Sequence, residues 1–352
     1  MRVGILSYPM LFQREGGLQV QIRETIAALN LLPGAPVEAV LMDPQRERLD
    51  SFDLVHVYSA INGNHRIMET ASDMGVPVVL SPLLAPGWDR AAGLRAHMAE
   101  RLAGRLTSWN AQTTYAQTKR ALQLADRVIA LGEAEKQAII DGFRVHAEKI
   151  RLLPNGISAQ FFAADEQLFR QHTGIAESFV LMVGAISPYK NQLELARALT
   201  ANGVGVVLIG QAQARHQEYL QELLAIPKLT WLGHLEHADP LLASAYRSAA
   251  ALALPSQGEV LPLSVLEALA TGTPAVMTDE SALRIPGSDF ALRQLRWQDT
   301  QGICLALLSF MAAPPDRSQV QALVARFTWQ RVAQQLSDCY AEIARIPQFQ
   351  QK

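Results

Sequence analysis

Residues 250–279, AALALPSQGEVLPLSVLEALATGTPAVMTD, leave the chain few folds to choose from. The apolar run 249–254 is short and unbroken, as in a strand buried on both faces. Pro255-Ser256-Gln257-Gly258 ends it, because Pro and Gly interrupt regular structure. Residues 263–271 then place Leu263, Leu266 and Leu269/Ala270 at helical spacing. Gly272 stands where a residue just past a helix end is expected, and Pro274 blocks further helix. Ala275-Val276-Met277 opens a second strand. A strand, a crossover helix and a parallel strand make a right-handed unit. Two acids mark it: Glu259 in the loop, and Glu267 eight positions on, inside the helix. Helix N-termini attract anions. A carboxylate there suits hydroxyl partners beside a helix-held phosphate, which is the pattern of a nucleotide-sugar. The alternative is a surface Glu and a Glu on a solvated helix face.

The rest of the chain repeats this alternation. Residues 2–7 read as a strand, Gly16-Gly17 as a turn and 18–31 as a helix, an opening of nucleotide-binding type or only a turn. Further strands are expected at 53–58, 76–80, 127–131 and 150–153. Residues 158–177 have a polar run with Phe161-Phe162 and no strand, and are expected to cross between domains. The pattern restarts with strands at 179–184, 204–209 and 229–235, helices after 191 and at 240–248, and then the opening motif. A helix is expected at 300–312 and a last one at 328–346. Strand–helix alternation in two halves predicts an α/β chain of two doubly wound, Rossmann-like domains facing each other, with ligands at the carboxyl ends of the strands and hence in the cleft between them. The expected boundaries are 1–160 for the first domain, 161–327 for the second, and a tail 328–352 that rejoins the first.

Read together, Glu259-x-x-Pro262-Leu263-x-x-Leu266-Glu267-Ala268-Leu269-Ala270-x-Gly272-x-Pro274-Ala275-Val276 closely resembles the E-x7-E block of the family-four retaining glycosyltransferases of the GT-B fold. The segment Val183-Gly184-Ala185-Ile186-Ser187-Pro188-Tyr189-Lys190 is similar to a second family block, VGR-x-x-P-x-K, with Ala185 where the family usually has Arg. Trp231-Leu232-Gly233-His234-Leu235 resembles the segment whose backbone meets the base. The resemblance is specific over about 179–278 and general in architecture elsewhere.

The resemblance implies transfer of a sugar from a nucleotide-sugar, such as a UDP- or GDP-sugar, to an acceptor hydroxyl with retained configuration. Glu267 would accept from the ribose hydroxyls, and Glu259 would hold the donor sugar or the charge developing near its C1. Such charge-assisted hydrogen bonds contribute about 1.5–3 kcal/mol each. Lys190, the backbone of Val260, Leu261, Pro262 and Leu263, and the Gly16-Gly17 loop would stabilise the departing diphosphate. His234 and Leu235 would lie beside the base. Same-face attack aided by the leaving phosphate is the expected route. Arg14 is a candidate substitute for the missing Arg. Relatives often carry a histidine after the strand ending at Leu80, where this chain has Leu83 and Leu84. Trp88 and Asp89 in that loop are candidates for an acceptor wall, or for loop packing.

Composition narrows the partners. The 352 residues suit two domains, and 49% hydrophobic with 18% charged residues suits large cores. A net charge of −2 gives no reason to expect nucleic acid. Cys304 and Cys339 have no metal-ligand spacing, no Asp-x-Asp pattern is evident, and neither a metal nor another cofactor is expected. The strand-like start is too short for a signal peptide, and no apolar run approaches membrane-span length, so a cytoplasmic location is expected. Residues 90–120 are helical in propensity and basic. Arg101 and Arg105 share a face beside the stripe Leu94, Met98, Leu102 and Leu106, which is either a contact with anionic membrane or a solvated face over a core stripe. The membrane reading points to a glycan or lipid-linked acceptor, as in bacterial surface polysaccharide or lipopolysaccharide assembly. The alternative from another class is a non-catalytic nucleotide-sugar-binding protein of the same fold.

Overall fold

The computed structural model describes residues 1–13, 16–85, 87–107 and 113–345, with the side chains of 102–107 outside that description. Arg14, the side chains of Leu102, Arg105 and Leu106, and residues 346–352 of the expected tail therefore lie outside the described residues. The chain divides into two units: Met1–Gly156, Ala282–Arg284 and the chain from Trp329 on; and Ile157–Ser281 with Ile285–Thr328.

The first unit holds β1 (Arg2–Leu6), α1 (Gly17–Asn30), β2 (Glu38–Leu41), β3 (Leu54–Tyr58), α2 (Asn64–Asp73), β4 (Val78–Ser81), α3 (Arg90–Thr107), α4 (Thr114–Leu124), β5 (Arg127–Ala130), α5 (Glu133–Phe143) and β6 (Ile150–Leu152). The second holds α6 (Ala159–Phe162), α7 (Gln167–Thr173), β7 (Phe179–Val183), α8 (Gln192–Ala201), β8 (Gly205–Ile209), α9 (Gln217–Leu224), β9 (Leu229–Trp231), α10 (Pro240–Ser248), β10 (Ala251–Leu254), α11 (Leu263–Ala270), β11 (Ala275–Thr278), β12 (Leu292–Leu295), α12 (Thr300–Ala312) and α13 (Arg317–Val324). The last helix, α14 (Trp329–Ala344), belongs to the first unit and packs on α1. It buries Trp329, Val332, Ala333, Leu336, Tyr340 and Ile343, a stripe at helical spacing.

Each unit carries a six-stranded parallel sheet, ordered β2-β1-β3-β4-β5-β6 in the first and β12-β11-β10-β7-β8-β9 in the second. The apolar runs read from the sequence fill the middle of both: β3, β4, β10 and β11 are buried along their whole length. In each sheet the strand order reverses once, between β1 and β3 and between β7 and β10. Loops leaving the carboxyl ends on either side of such a reversal diverge and leave a crevice.

Three expectations change. Residues 158–177 are not a crossing segment: Phe161 and Phe169 are fully buried, and Phe169 stacks on Phe179 at 5.1 Å, so α6 and α7 are part of the second unit's core. The division accordingly falls at Gly156/Ile157 rather than 160/161, and at Thr328/Trp329 rather than 327/328. The strand expected at 229–235 stops at Trp231, because Gly233 turns to φ +76° and its carbonyl accepts from Gly210 N–H at 2.8 Å. The edge strands β2 and β12 were not expected; each is four residues long and mixed in burial.

Candidate functional site

The second unit's reversal point brings the sequence-marked charges together. β7 runs into Gly184, and Gly210 at the end of β8 lies so close that a Cβ there would overlap the Gly184 carbonyl. Both glycines have positive φ, near +144° and +151°, which other residues rarely adopt. The chain then turns through Ser187 to Lys190. Gln192, itself buried, fixes that turn by donating to the Ala185 carbonyl at 2.9 Å. Lys190 is thereby presented beside the loop that leaves β10.

That loop is braced from three sides. Tyr189 OH donates to Gly258 O at 2.9 Å, Glu259 N–H donates to Glu280 O at 2.9 Å, and Ser281 Oγ donates to Val260 O at 3.2 Å. Glu259 is ion-paired and hydrogen-bonded to Lys190 Nζ, with the two side chains 19% and 21% exposed. Burial, followed by the charges of Glu259 and Glu280, pushes the Tyr189 phenol up from its ordinary value. Among the described residues these contacts join two acids, Glu259 and Glu280, with one cation, Lys190, and exposed Ala185 adds no charge. Pro262 caps α11 with extended backbone, so the free N–H groups of the helix's first turn begin at Leu263, a few residues along the chain from Glu259. Leu261 and Pro262 are buried, and Val260 and Leu263 are half-buried.

Glu267 sits differently. It is only 5% exposed, on the second turn of α11. Tyr246 OH donates to its Oε2 at 2.8 Å, and His237 Nε2 lies 3.0 Å from its Oε1. Burial and the Glu267 charge push the Tyr246 phenol well above its ordinary value, which keeps it a donor. Gln160 holds the His237 carbonyl at 2.6 Å, and Phe161 lies against the imidazole at 5.4 Å. The sequence reading missed His237 and Tyr246; nothing in their spacing announces that they support an acid 21 or 30 positions away. Ser256 Oγ and Thr278 Oγ1, at the carboxyl ends of β10 and β11, are buried without a hydrogen-bond partner. His234 Nε2 lies 3.5 Å from Glu236 Oε1, and Leu235 follows it in the β9–α10 loop.

In the first unit Gly16 caps α1 and Gly17 begins it, at the carboxyl end of β1. Gly16 has φ 174°, extended backbone open to any residue, so what its missing Cβ spares is space near Gln19 Oε1 at 3.2 Å. Trp88 and Asp89 have structural partners. Trp88 packs on Phe143 at 5.0 Å and Tyr115 at 5.7 Å, and Asp89 Oδ1 accepts from Ala92 N–H at 2.6 Å, in the first turn of α3.

The comparisons with known proteins agree with this layout. A family described as "Glycosyl transferases group 1" matches residues 165–284, and "Glycosyltransferase Family 4" matches residues 11–161. D-inositol 3-phosphate glycosyltransferase of Stackebrandtia nassauensis is 25% identical over 242 residues, covering 62% of this chain and 54% of that protein. The chain thus spans about half the length of the curated relatives it matches. HepE of Anabaena, solved in complex with UDP, superposes with a TM-score of 0.66 at 18% identity, covering 97% of this chain and 100% of that one. WaaG, a glycosyltransferase involved in lipopolysaccharide biosynthesis, gives 0.64 at 15% identity over 97% and 99%. Two parallel six-stranded sheets, each reversing order once, are the GT-B architecture. By its two family matches and its E-x7-E block, the chain belongs to the family-four glycosyltransferases.

Proposed function

We propose that this protein transfers a sugar from a nucleotide-sugar to an acceptor hydroxyl with retention of configuration. The observation that carries this reading is the Lys190–Glu259 pair at the reversal point of the second sheet, beside the first turn of α11. Lys190 and the helix N–H groups meet the diphosphate, where negative charge grows as the sugar leaves. Glu259, once Lys190 turns to the phosphate, accepts from the donor sugar's hydroxyls. Each Glu267 oxygen has one protein partner and room for a second, so it accepts from the ribose hydroxyls without leaving Tyr246 or His237. His234 and Leu235 complete donor recognition within the second unit. The departing phosphate takes the acceptor's proton in a same-face attack. No metal takes part in this scheme, so a chelator leaves the rate unchanged.

UDP is the first nucleotide to try, because HepE of the same architecture was solved with it. The acceptor meets the first unit's carboxyl edge, where Trp88 and Asp89 shape the loop after β4. Leu94 and Met98 are exposed on the basic helix α3, which favours an acceptor presented at an anionic membrane. No described helix is long and apolar enough to cross one. Exposed Ala185 favours a second reading, nucleotide-sugar binding without transfer.

A thermal-shift screen against UDP, GDP, ADP, CMP and dTDP tests the site. A ligand at a hundredfold excess over Kd stabilises by about 2.7 kcal/mol. One nucleotide should raise the melting temperature of the wild type and not of Lys190→Ala. No shift with any of them sinks the donor assignment. A shift without turnover of the matching nucleotide-sugar supports the second reading.

A further inference from the structure

Among the described acids only Glu135 and Glu267 are buried, and Glu135 is fully so. Its Oε1 accepts the backbone N–H of Leu84 and its Oε2 that of Leu131, both at 2.7 Å. Leu84 lies in the loop after β4 and Leu131 just past β5, and these two strands are neighbours in the first sheet. One carboxylate therefore joins two loops at the carboxyl edge, where sheets of this type meet their ligands.

Helix α5 is the frame for the loop after β4. Glu135 stands in the helix's first turn and holds Leu84. In its last turn, Gly142 and Phe143 receive Trp88: a Cβ on Gly142 would lie 2.8 Å from Trp88 Cβ. Just before the clamp, Leu83 is held at φ +55°, a conformation costly for a leucine and kept only where the surroundings impose it.

Among the described residues no cation offsets the Glu135 charge: its carboxyl answers only to burial and to the two N–H groups. On its own helix, Lys136 pairs with Glu133. On α3, Arg90 pairs with Asp141 and His97 lies near Glu100. The two N–H groups favour the carboxylate, but burial outweighs them and pushes Glu135 up to about 7. A neutral carboxyl carries its own O–H between two facing N–H donors, so one of the two loops loses its acceptor.

We propose that Glu135 is a positioning residue for the acceptor: ionised, it fixes the loop after β4 at Leu84 in the arrangement the acceptor meets, and protonated, it releases that loop. This rests on the reading of the first unit's carboxyl edge as the acceptor side. The sign is unusual. The folded value lies above the ordinary 4.5, so this group's contribution to global stability is full below about 4.5 and is lost as pH rises through about 7. Order in the loop runs the opposite way and is greatest above that range.

The test begins without substrate. In protein labelled with 15N-leucine, the Leu84 and Leu131 amide resonances should titrate together with a midpoint near 7. Neither should move in Glu135→Gln. Amides that stay still in the wild type, or that titrate equally in the variant, overturn the clamp. Transfer is then followed from UDP-glucose to two probe acceptors, myo-inositol 3-phosphate and octyl glucoside. The acceptor KM should fall several-fold as pH rises through neutrality while nucleotide affinity stays level, and Glu135→Gln should remain at the acid value throughout. A KM profile shared by both proteins overturns the positioning role. If neither probe is glycosylated, the amide titration still decides the clamp, and it is the acceptor reading that has failed.

Discussion

At the carboxyl edge of the second sheet, Lys190 and Glu259 face each other with about a fifth of each side chain open to water. In the first unit the comparable polar groups are sealed. Glu135 is fully buried between backbone N–H groups, and His56 on β3 is fully buried between Tyr340 OH at 2.7 Å and Ser81 Oγ at 2.9 Å. Burial drops His56 to about 3, so it stays neutral. The two arrangements suit different work. An ion pair with a fifth of each side chain open to water can exchange one partner for an incoming charge without leaving the other buried and unpaired. A sealed group cannot change partners without leaving a buried donor or acceptor unpaired. On the proposed reading the second unit offers charge that a ligand can meet, while the first carries polar groups locked to its own backbone and side chains.

Removing Lys190 tests that division most severely. Lys190→Ala leaves Glu259 and Glu280 unopposed beside the proposed diphosphate. Transfer should fall by roughly a hundredfold or more, as for the loss of one preorganised charge-stabilising group. The fold should hardly notice, because the pair is partly exposed. Steady-state kinetics beside a thermal melt would check both halves. A variant that melts normally and transfers at nearly the wild-type rate breaks the comparison.

Glu267 belongs to both classes, which makes its removal informative. It is a motif acid of the donor side, yet it is itself buried, and its partner Tyr246 is as buried as those in the first unit, while His237 is half-buried. Glu267→Ala strips the acceptor from the fully buried Tyr246 phenol and from His237. Chemical denaturation should show a loss of roughly 2–4 kcal/mol, and nucleotide affinity should fall as well. Tyr246→Phe separates the two effects: it should cost about 1 kcal/mol and leave affinity nearly unchanged. If Tyr246→Phe abolishes nucleotide binding while folding normally, the phenol meets the ligand and Glu267 is its support.

How much of this was legible follows from what leaves a local mark. The strands β7 and β10 are unbroken apolar runs ended by Gly or Pro, so their ends, and with them Lys190 and Glu259, could be placed from the sequence. Phe161 and Phe169 could not: α6 and α7 are four and seven residues long, too short for a periodic face, and their burial depends on Tyr246, far along the chain, and on Phe179 in the following strand. The edge strand β2 alternates exposure within four residues and gives no apolar run. Glu135 does leave a trace, an acid three residues after Gly132 at a helix start, but a capping acid usually reaches back to the backbone of its own N-terminus. That this one reaches Leu84, 51 positions away, is a product of tertiary structure. Trp88 follows the same logic: its partners Tyr115 and Phe143 are distant in sequence.

The smallest effect is expected where the first unit is sealed by the end of the chain. Tyr340 lies on α14 and reaches His56 on β3, in the middle of the first sheet and 284 positions away. Burial raises its phenol well above the ordinary value, so it remains protonated. A neutral imidazole has one donor and one acceptor nitrogen, and Ser81 and Tyr340 occupy them between them. Tyr340→Phe keeps the ring that α14 packs and removes only the hydroxyl, leaving His56 Nδ1 alone. The loss should be about 1 kcal/mol, with nucleotide affinity unchanged because Lys190, Glu259 and Glu267 all stand in the other unit. A fall in nucleotide affinity would show that the sealed polar groups of the first unit reach the donor site, and the division between exchangeable and fixed polar groups would have to be redrawn.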